Sequence, residues 1–96
     1  MTASTTIFRT EQAARYRAAL AKHFSHKIAV RETETEAVFP FAAGTGRAEI
    51  VPEGLALFAD ADSEEERRGV EQVLESHLQR FAFREEFPPL VWSSAT

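Results

Sequence analysis

The feature that most constrains this fold is a periodic apolar stripe in the last third of the chain. Its members recur three and four residues apart, which is the spacing of one helix face. They are Val70, Val73, Leu74, His77, Leu78 and Phe81. Ser63 followed by Glu66 forms a capping box that starts the helix, and Pro88 and Pro89 prevent its continuation. A helix with one apolar face needs an apolar surface to cover, which the rest of the chain must supply.

The middle of the chain supplies that surface as short strands. Apolar and polar residues alternate, or β-branched and aromatic residues cluster, over 27–32, 35–41, 47–51 and 55–59. Residues 42–47 contain two glycines and form a hairpin connection, and residues 52–54 form a tight turn. Four strands joined by short turns predict an antiparallel meander.

A second amphipathic helix precedes the strands. Its stripe is Ala13, Tyr16, Leu20 and Phe24. Thr10 is the expected N-cap, Glu11 lies in the first turn, and the helix is expected to end near Ser25.

These elements define the predicted architecture. We expect an α+β two-layer sandwich in the order helix, four-strand antiparallel meander, helix, short strand, with both helices on one sheet face. The short last strand covers residues 90–92. Residues 1–9 are expected to be a flexible lead, residues 10–92 a single domain, and residues 93–96 a C-terminal tail.

Composition excludes several classes of protein. The 96 residues include no cysteine, which removes disulfide scaffolds, thiolate catalysis and Cys-ligated metal sites. A net charge of −4 argues against general nucleic-acid binding. The first residues lack the pattern of a signal peptide, and no apolar run reaches the ~20 residues of a membrane span. A cytoplasmic protein is expected.

The charge is unevenly distributed along the chain. Residues 1–31 hold six basic residues and one acidic residue, whereas the remainder holds five basic and fourteen acidic. A basic first third can attract an anionic partner or pair with a second copy of the chain. Alternatively, the two oppositely charged parts lie together in one fold and screen each other.

The three histidines suggest a metal site. His23 and His26 are three residues apart at the end of the first helix, and His77 lies within the stripe of the second. Together they would suit zinc or iron, with Glu85 or Glu86 as a further ligand. The alternative is structural, with His77 as a core residue whose ring is hydrogen-bonded.

The same region suggests an anion site. His26, Lys27, His77 and Arg84 form a cationic pocket for a carboxylate or phosphate if the chain stays helical beyond Phe81. Glu85 borders that pocket. The alternative is that Lys27 or Arg84 forms an ion pair with a neighbouring glutamate.

The sheet face away from the helices offers a third possibility. It is expected to carry mixed residues, among them Lys27, Arg31, Glu36, Val38, Arg47, Glu49 and Phe58. Val38 and Phe58 could begin a self-association patch, which would make the protein a structural homodimer module.

Two motifs resemble a known family. His23-Phe-Ser-His26-Lys27 and Ser76-His77-Leu-Gln-Arg-Phe81-Ala-Phe-Arg84-Glu85, followed by Val91-Trp92, are similar to the small bacterial domain of unknown function 2218. The resemblance covers residues 7–92. The matching positions are His26, Lys27, His77, Phe81, Arg84, Glu85 and Trp92. Related domains accompany siderophore-interacting ferric reductase modules, which implies a link to iron handling and a siderophore-related partner. The resemblance assigns no catalytic residue.

These observations order the functional hypotheses. The first is a non-enzymatic binding or accessory domain that uses His26, Lys27, His77, Arg84 and Glu85 for a small anion. The second is a zinc or iron protein that uses His23, His26 and His77. The third is the homodimer module, which needs no pocket.

Overall fold

The computed structural model describes residues 1–95 and contains six strands and two helices in that range. In chain order they are β1 (Thr2–Arg9), α1 (Ala13–Phe24), β2 (Arg31–Glu32), β3 (Glu36–Pro40), β4 (Thr45–Val51), β5 (Gly54–Ala61), α2 (Glu64–Phe81) and β6 (Ser93–Ser94).

The strands form one antiparallel sheet in the order β2-β3-β4-β5-β1-β6. The α+β class is confirmed. The predicted four-strand meander is present as β2 to β5. The sheet of the described residues has six strands, because β1 and β6 extend it beyond β5. The sheet therefore differs from the predicted arrangement, a four-strand meander with a short last strand, chiefly in the added strand β1.

The flexible lead predicted for residues 1–9 is replaced by strand β1. It pairs with β5 along its whole length, from Thr2 opposite Ala61 to Arg9 opposite Gly54. The sequence does not show the alternation of apolar and polar residues that is typical of a strand. The reason is that two inward-facing residues of β1, Ser4 and Thr6, are polar although they are buried. A hydrogen bond to a side chain of α2 satisfies Ser4, so the sheet tolerates it inside.

Gly54 permits β1 to approach the turn between β4 and β5. Its φ is +153°, and a Cβ at this position would lie 2.2 Å from the carbonyl oxygen of Phe8. Any other residue would clash with the backbone of β1. The sequence predicts a turn at Gly54, but the strand that crowds it is visible only in the fold.

Both helices pack on the same side of the sheet. Phe24 of α1 lies edge-on to Phe39, with 5.2 Å between the ring centroids. Leu74 of α2 covers Gly46, which is the register partner of Phe39. Since paired residues project from one face, the two helices share that face, and the buried core lies between them and the sheet.

Several predicted boundaries are shifted. The strand predicted over 27–32 is reduced to β2 because the backbone N–H groups of Lys27 and Ile28 donate to the carbonyl of Phe24 and continue the turn after α1. Thr10 does not cap α1: the N-cap is Gln12, so Glu11 lies outside the first turn. Instead the Thr10 hydroxyl accepts from the Gln12 N–H at 3.0 Å.

The C-terminal segment also differs from its prediction. The last strand is β6 and not residues 90–92, so part of the predicted tail pairs with β1. The other end of that tail, Thr96, lies outside the described residues. Leu90 and Trp92 are held by Glu75 of α2, which accepts from the Leu90 N–H at 3.1 Å and from the Trp92 indole at 3.0 Å.

Candidate functional site

Titratable and charged side chains gather where α1 and α2 run antiparallel. Tyr16 at the start of α1 contacts Glu85 beyond the end of α2, and His23 at the other end of α1 contacts His77. We call this line of contact the helix seam. It comprises side chains of both helices and of the turns that follow them: Arg15, Tyr16, His23, His26, Lys27, His77, Arg80, Phe81, Arg84 and Glu85. Residues three, four and seven apart share a helix face, which aligns Tyr16 with His23 on α1 and His77 with Arg80 and Phe81 on α2. Arg84 lies in the turn beyond α2.

Two imidazoles define the histidine end of the seam. The ring centroids of His23 and His77 are 4.7 Å apart. Nδ1 of His77 lies 2.7 Å from the carbonyl oxygen of Val73. Because a carbonyl only accepts, Nδ1 carries the proton and donates to it. Nε2 of His77 is thereby left for a second interaction, either as an acceptor or, when protonated, as a donor.

The surroundings disfavour a charge on His23. Its pKa is lowered from 6.5, chiefly because burial penalises the charged ring, and further because His77, Arg80, Lys27 and His26 all add positive charge nearby. Burial and the neighbouring basic side chains therefore act in the same direction on His23. An anion bound at this end would reverse that effect and favour protonation.

A cavity of about 450 Å³ defines the arginine end of the seam. Arg15 and Arg84 both line it, together with Gln12, Tyr16, Phe81, Phe83 and Glu85. The guanidinium of Arg84 lies 5.5 Å from the centroid of the Phe83 ring, which is 74% exposed. Two guanidinium groups beside open aromatic surface can hold a carboxylate and the apolar body attached to it.

The one carboxylate of this cavity has hydroxyl partners. Glu85 accepts from the hydroxyl groups of Tyr16 and Thr10. The pKa of Tyr16 is raised above 10.0, first by burial and then by its hydrogen bond to Glu85 and that group's negative charge, while Arg15 acts in the opposite direction. Tyr16 therefore stays protonated and ties Glu85 to α1.

The cations of the seam lack carboxylate partners in the part of the chain that is described. Ion pairs there involve Arg17, Arg47, Arg67 and Arg68, all away from the seam. Arg15, Arg80 and Arg84 form none within residues 1–95. The predicted alternative, an internal ion pair of Lys27 or Arg84, is accordingly not formed among these residues.

The anion pocket predicted from the sequence divides into the two ends of the seam. His26 and Lys27 lie in the turn after α1, and with His77 they belong to the histidine end. Arg84 and Glu85 belong to the arginine end. Sequence reasoning missed Arg15, Tyr16 and Arg80. Arg80 is three residues after His77 and could have been found from helical spacing, whereas the partnership with α1 could not.

The three-histidine metal site is not assembled. Over residues 1–95 no group of three or more His, Asp or Glu side chains is placed to hold a metal ion. The reason is local, because α1 ends at Phe24 and His26 lies in the following turn instead of on another helical turn. Only His23 and His77 come together.

The outer sheet face carries an apolar groove that includes one of the two residues predicted for a self-association patch. Phe58 lines it, and the guanidinium of Arg47 lies 3.9 Å from the centroid of that ring. Val38 does not line it and is paired between Arg31 and Arg47. The groove lies between the outer face of β1 and β5 and the C-terminal segment, with a volume of about 750 Å³. Its lining includes Ile7 and Val91, which are 41% and 82% exposed.

Comparison with known proteins places the chain in a family without assigning its chemistry. Neither helix of the described residues is long and apolar enough to cross a bilayer. No curated protein matches the sequence. The chain is similar to the protein in the NMR structure of PA4090 from Pseudomonas aeruginosa, with a TM-score of 0.82 and 30% identity over 97% of this chain and 96% of that one. The family of uncharacterized proteins conserved in bacteria (DUF2218) matches residues 5–93, and the chain belongs to it.

Proposed function

We propose that the protein is a non-enzymatic binding domain that takes a small anionic ligand on the helix seam. The observation that carries this proposal is the set of cations without carboxylate partners among the described residues. In the same helix α2, Arg67 and Arg68 are paired with glutamates, whereas Arg80 has no ion pair within residues 1–95. A surface that gathers like charges and leaves them uncompensated is suited to an anion that arrives from solution.

The chemistry of the seam fits carboxylate or phosphate. Guanidinium groups offer paired N–H donors that match the oxygen atoms of either group. Nε2 of His77 adds a donor once the ring is protonated, and Lys27 adds a mobile point charge. The half-buried ring of His23 would then be stabilised in its charged form by the bound anion.

The link to siderophore handling implied by the family resemblance stays a prediction. A siderophore carboxylate fits the proposed ligand class, but the geometry favours it no more than another carboxylate. The binding proposal is independent of that link.

The test is an NMR titration of the ¹⁵N-labelled protein with inorganic phosphate at low ionic strength. We expect shifts to concentrate at His23, His77 and Arg80 and to be weakened by added sodium chloride. Arg80→Ala should weaken binding several-fold. Arg68→Ala is the matched control, since it removes an exposed arginine of the same helix away from the seam.

Two results would contradict the proposal. One is the absence of shifts at the seam up to tens of millimolar phosphate. The other is equal weakening by Arg80→Ala and Arg68→Ala, which would mean that phosphate responds only to net charge.

A further inference from the structure

We propose that the ligand of the helix seam carries two anionic groups joined by an apolar chain or ring, with one group bound at each end of the seam. This inference rests on the proposed function and specifies the length of the ligand and the number of its anionic groups. Its basis is that the structure repeats cationic chemistry at two places on one continuous surface.

The two ends lie on the same line of residues. On α1, Tyr16 at the arginine end and His23 at the histidine end are seven residues apart. On the other side, His77 lies in α2 and Arg84 lies in the turn beyond the end of that helix. Seven residues of α-helix rise roughly 10 Å, so Tyr16 and His23 of α1 mark ends separated by about the length of a medium-chain dicarboxylate.

An aromatic side chain lies between the two ends. The ring of Phe81 lies 5.9 Å from that of His23, and Phe81 also lines the cavity that contains Arg15 and Arg84. One phenyl ring therefore borders both sites. A small inorganic anion makes no use of this ring, whereas a hydrocarbon linker would pack on it.

The formal charges match one anionic group at each end. At the arginine end, Arg15 and Arg84 exceed Glu85 by one positive charge. At the histidine end, Lys27 and Arg80 supply two positive charges even when every imidazole is neutral. Each end can thus neutralise a carboxylate, and the histidine end can accept a more highly charged group such as a phosphate.

Two-point binding predicts a dependence on ligand length. Suberate has two carboxylates at the required separation, malonate has two that are too close, and octanoate has one on a chain of the same length as suberate. Once one carboxylate is bound, the second binds from a high effective concentration. We expect suberate to bind at least about fivefold more tightly than octanoate or malonate, as measured by NMR titration and calorimetry.

Exposed arginines allow the positive charge at each end of the seam to be removed by a separate substitution. Arg80→Gln and Arg84→Gln should each bring the affinity for suberate close to that for octanoate. The double variant should bind suberate more weakly than either single variant, because each single variant keeps the contact at the other end and the double variant loses both. Arg68→Gln, outside the seam, should leave the ranking of the three ligands unchanged.

The outcomes separate this inference from the proposed function. If suberate and octanoate bind equally and both perturb the seam, one anion is bound and the two-point inference is wrong, while the binding function stands. If Arg84→Gln leaves suberate binding unchanged, the arginine end takes no part and the inference is likewise overturned. If none of the three probes, nor phosphate, perturbs the seam, both proposals fail.

Discussion

The two halves of α2 use charge in opposite ways. In the first half, Arg68 pairs with Glu64 at 2.9 Å and Arg67 pairs with Glu71 at 3.1 Å. Towards the C-terminal end, His77 is fixed to the backbone, and Arg80 has no ion pair within residues 1–95. One helix therefore contains a compensated region and an uncompensated region.

The paired and unpaired charges have different consequences for the stability of the fold. The charges of the first half hold a neighbouring strand, because Glu71 accepts from Ser4 and Arg67 donates to Thr2 at 2.8 Å, both on β1. Those groups are engaged in the fold. The cations of the second half contribute no such contact, so their loss should affect binding more than stability.

The largest effect should come from the core shared by both halves. Leu74, in the middle of α2, is completely buried and lies against Gly46. We expect Leu74→Ala to lower the free energy of unfolding by about 2–5 kcal/mol, since it removes buried apolar surface and leaves a cavity. Urea unfolding measures this change. The exposed Gln72→Ala is the control and should lie within about 0.5 kcal/mol of the parent protein.

A smaller loss of stability should follow from removing a paired charge in the first half of α2. Glu71→Gln removes the charge that accepts from Arg67 and Ser4 in a partly buried place. We expect a loss of about 1–3 kcal/mol in the free energy of unfolding. The matched control is Glu65→Gln, which is exposed in the first turn of the same helix. Equal losses for the two variants would show that the contacts with β1 are unimportant and that only helix charge counts.

The smallest effect should be a pH dependence from the uncompensated half. The pKa of His23 is lowered from 6.5 in the folded protein, so between that lowered value and 6.5 the unfolded chain binds more protons. The stabilisation is complete above 6.5 and is lost as the pH falls through this window. His26, Lys27, His77 and Arg80 are the charged or titratable groups that act on His23.

Unfolding measured at neutral and mildly acidic pH tests this effect. His23→Asn should flatten the dependence, and His26→Asn, in the exposed turn, should retain most of it. Phosphate should reduce the acid-induced loss, because a bound anion favours the protonated ring. A dependence that is unchanged in His23→Asn would contradict the assignment and would point to another titrating group.

Local sequence signals predict the structure best. Ser63 and Glu66 predict the start of α2, and the Ser63 hydroxyl accepts from the Glu66 N–H at 3.2 Å. The stripe of α2 was also predicted, with Val70, Leu74 and Leu78 all buried. These features depend on neighbours within a few residues, which the sequence displays directly.

The candidate site was only partly predictable for the same reason. His77 can be identified from the sequence because it lies within the periodic stripe of α2. Arg84 and Glu85 can be identified because they come directly after that stripe. Arg15 and Tyr16 were missed because they acquire significance only through the antiparallel contact of α1 with α2. That contact joins residues more than sixty positions apart, as in the hydrogen bond between Tyr16 and Glu85.

The α+β class, the two amphipathic helices and the succession of strands from β2 to β5 can be predicted from the sequence, because hydrophobic period and turn residues act over short distances. Tertiary structure alone decided the place of β1, since burying Ser4 depends on Glu71, a partner 67 residues away. It also divided the basic residues into paired and unpaired groups. Electrostatic compensation depends on distance in space, and the folded chain sets that distance.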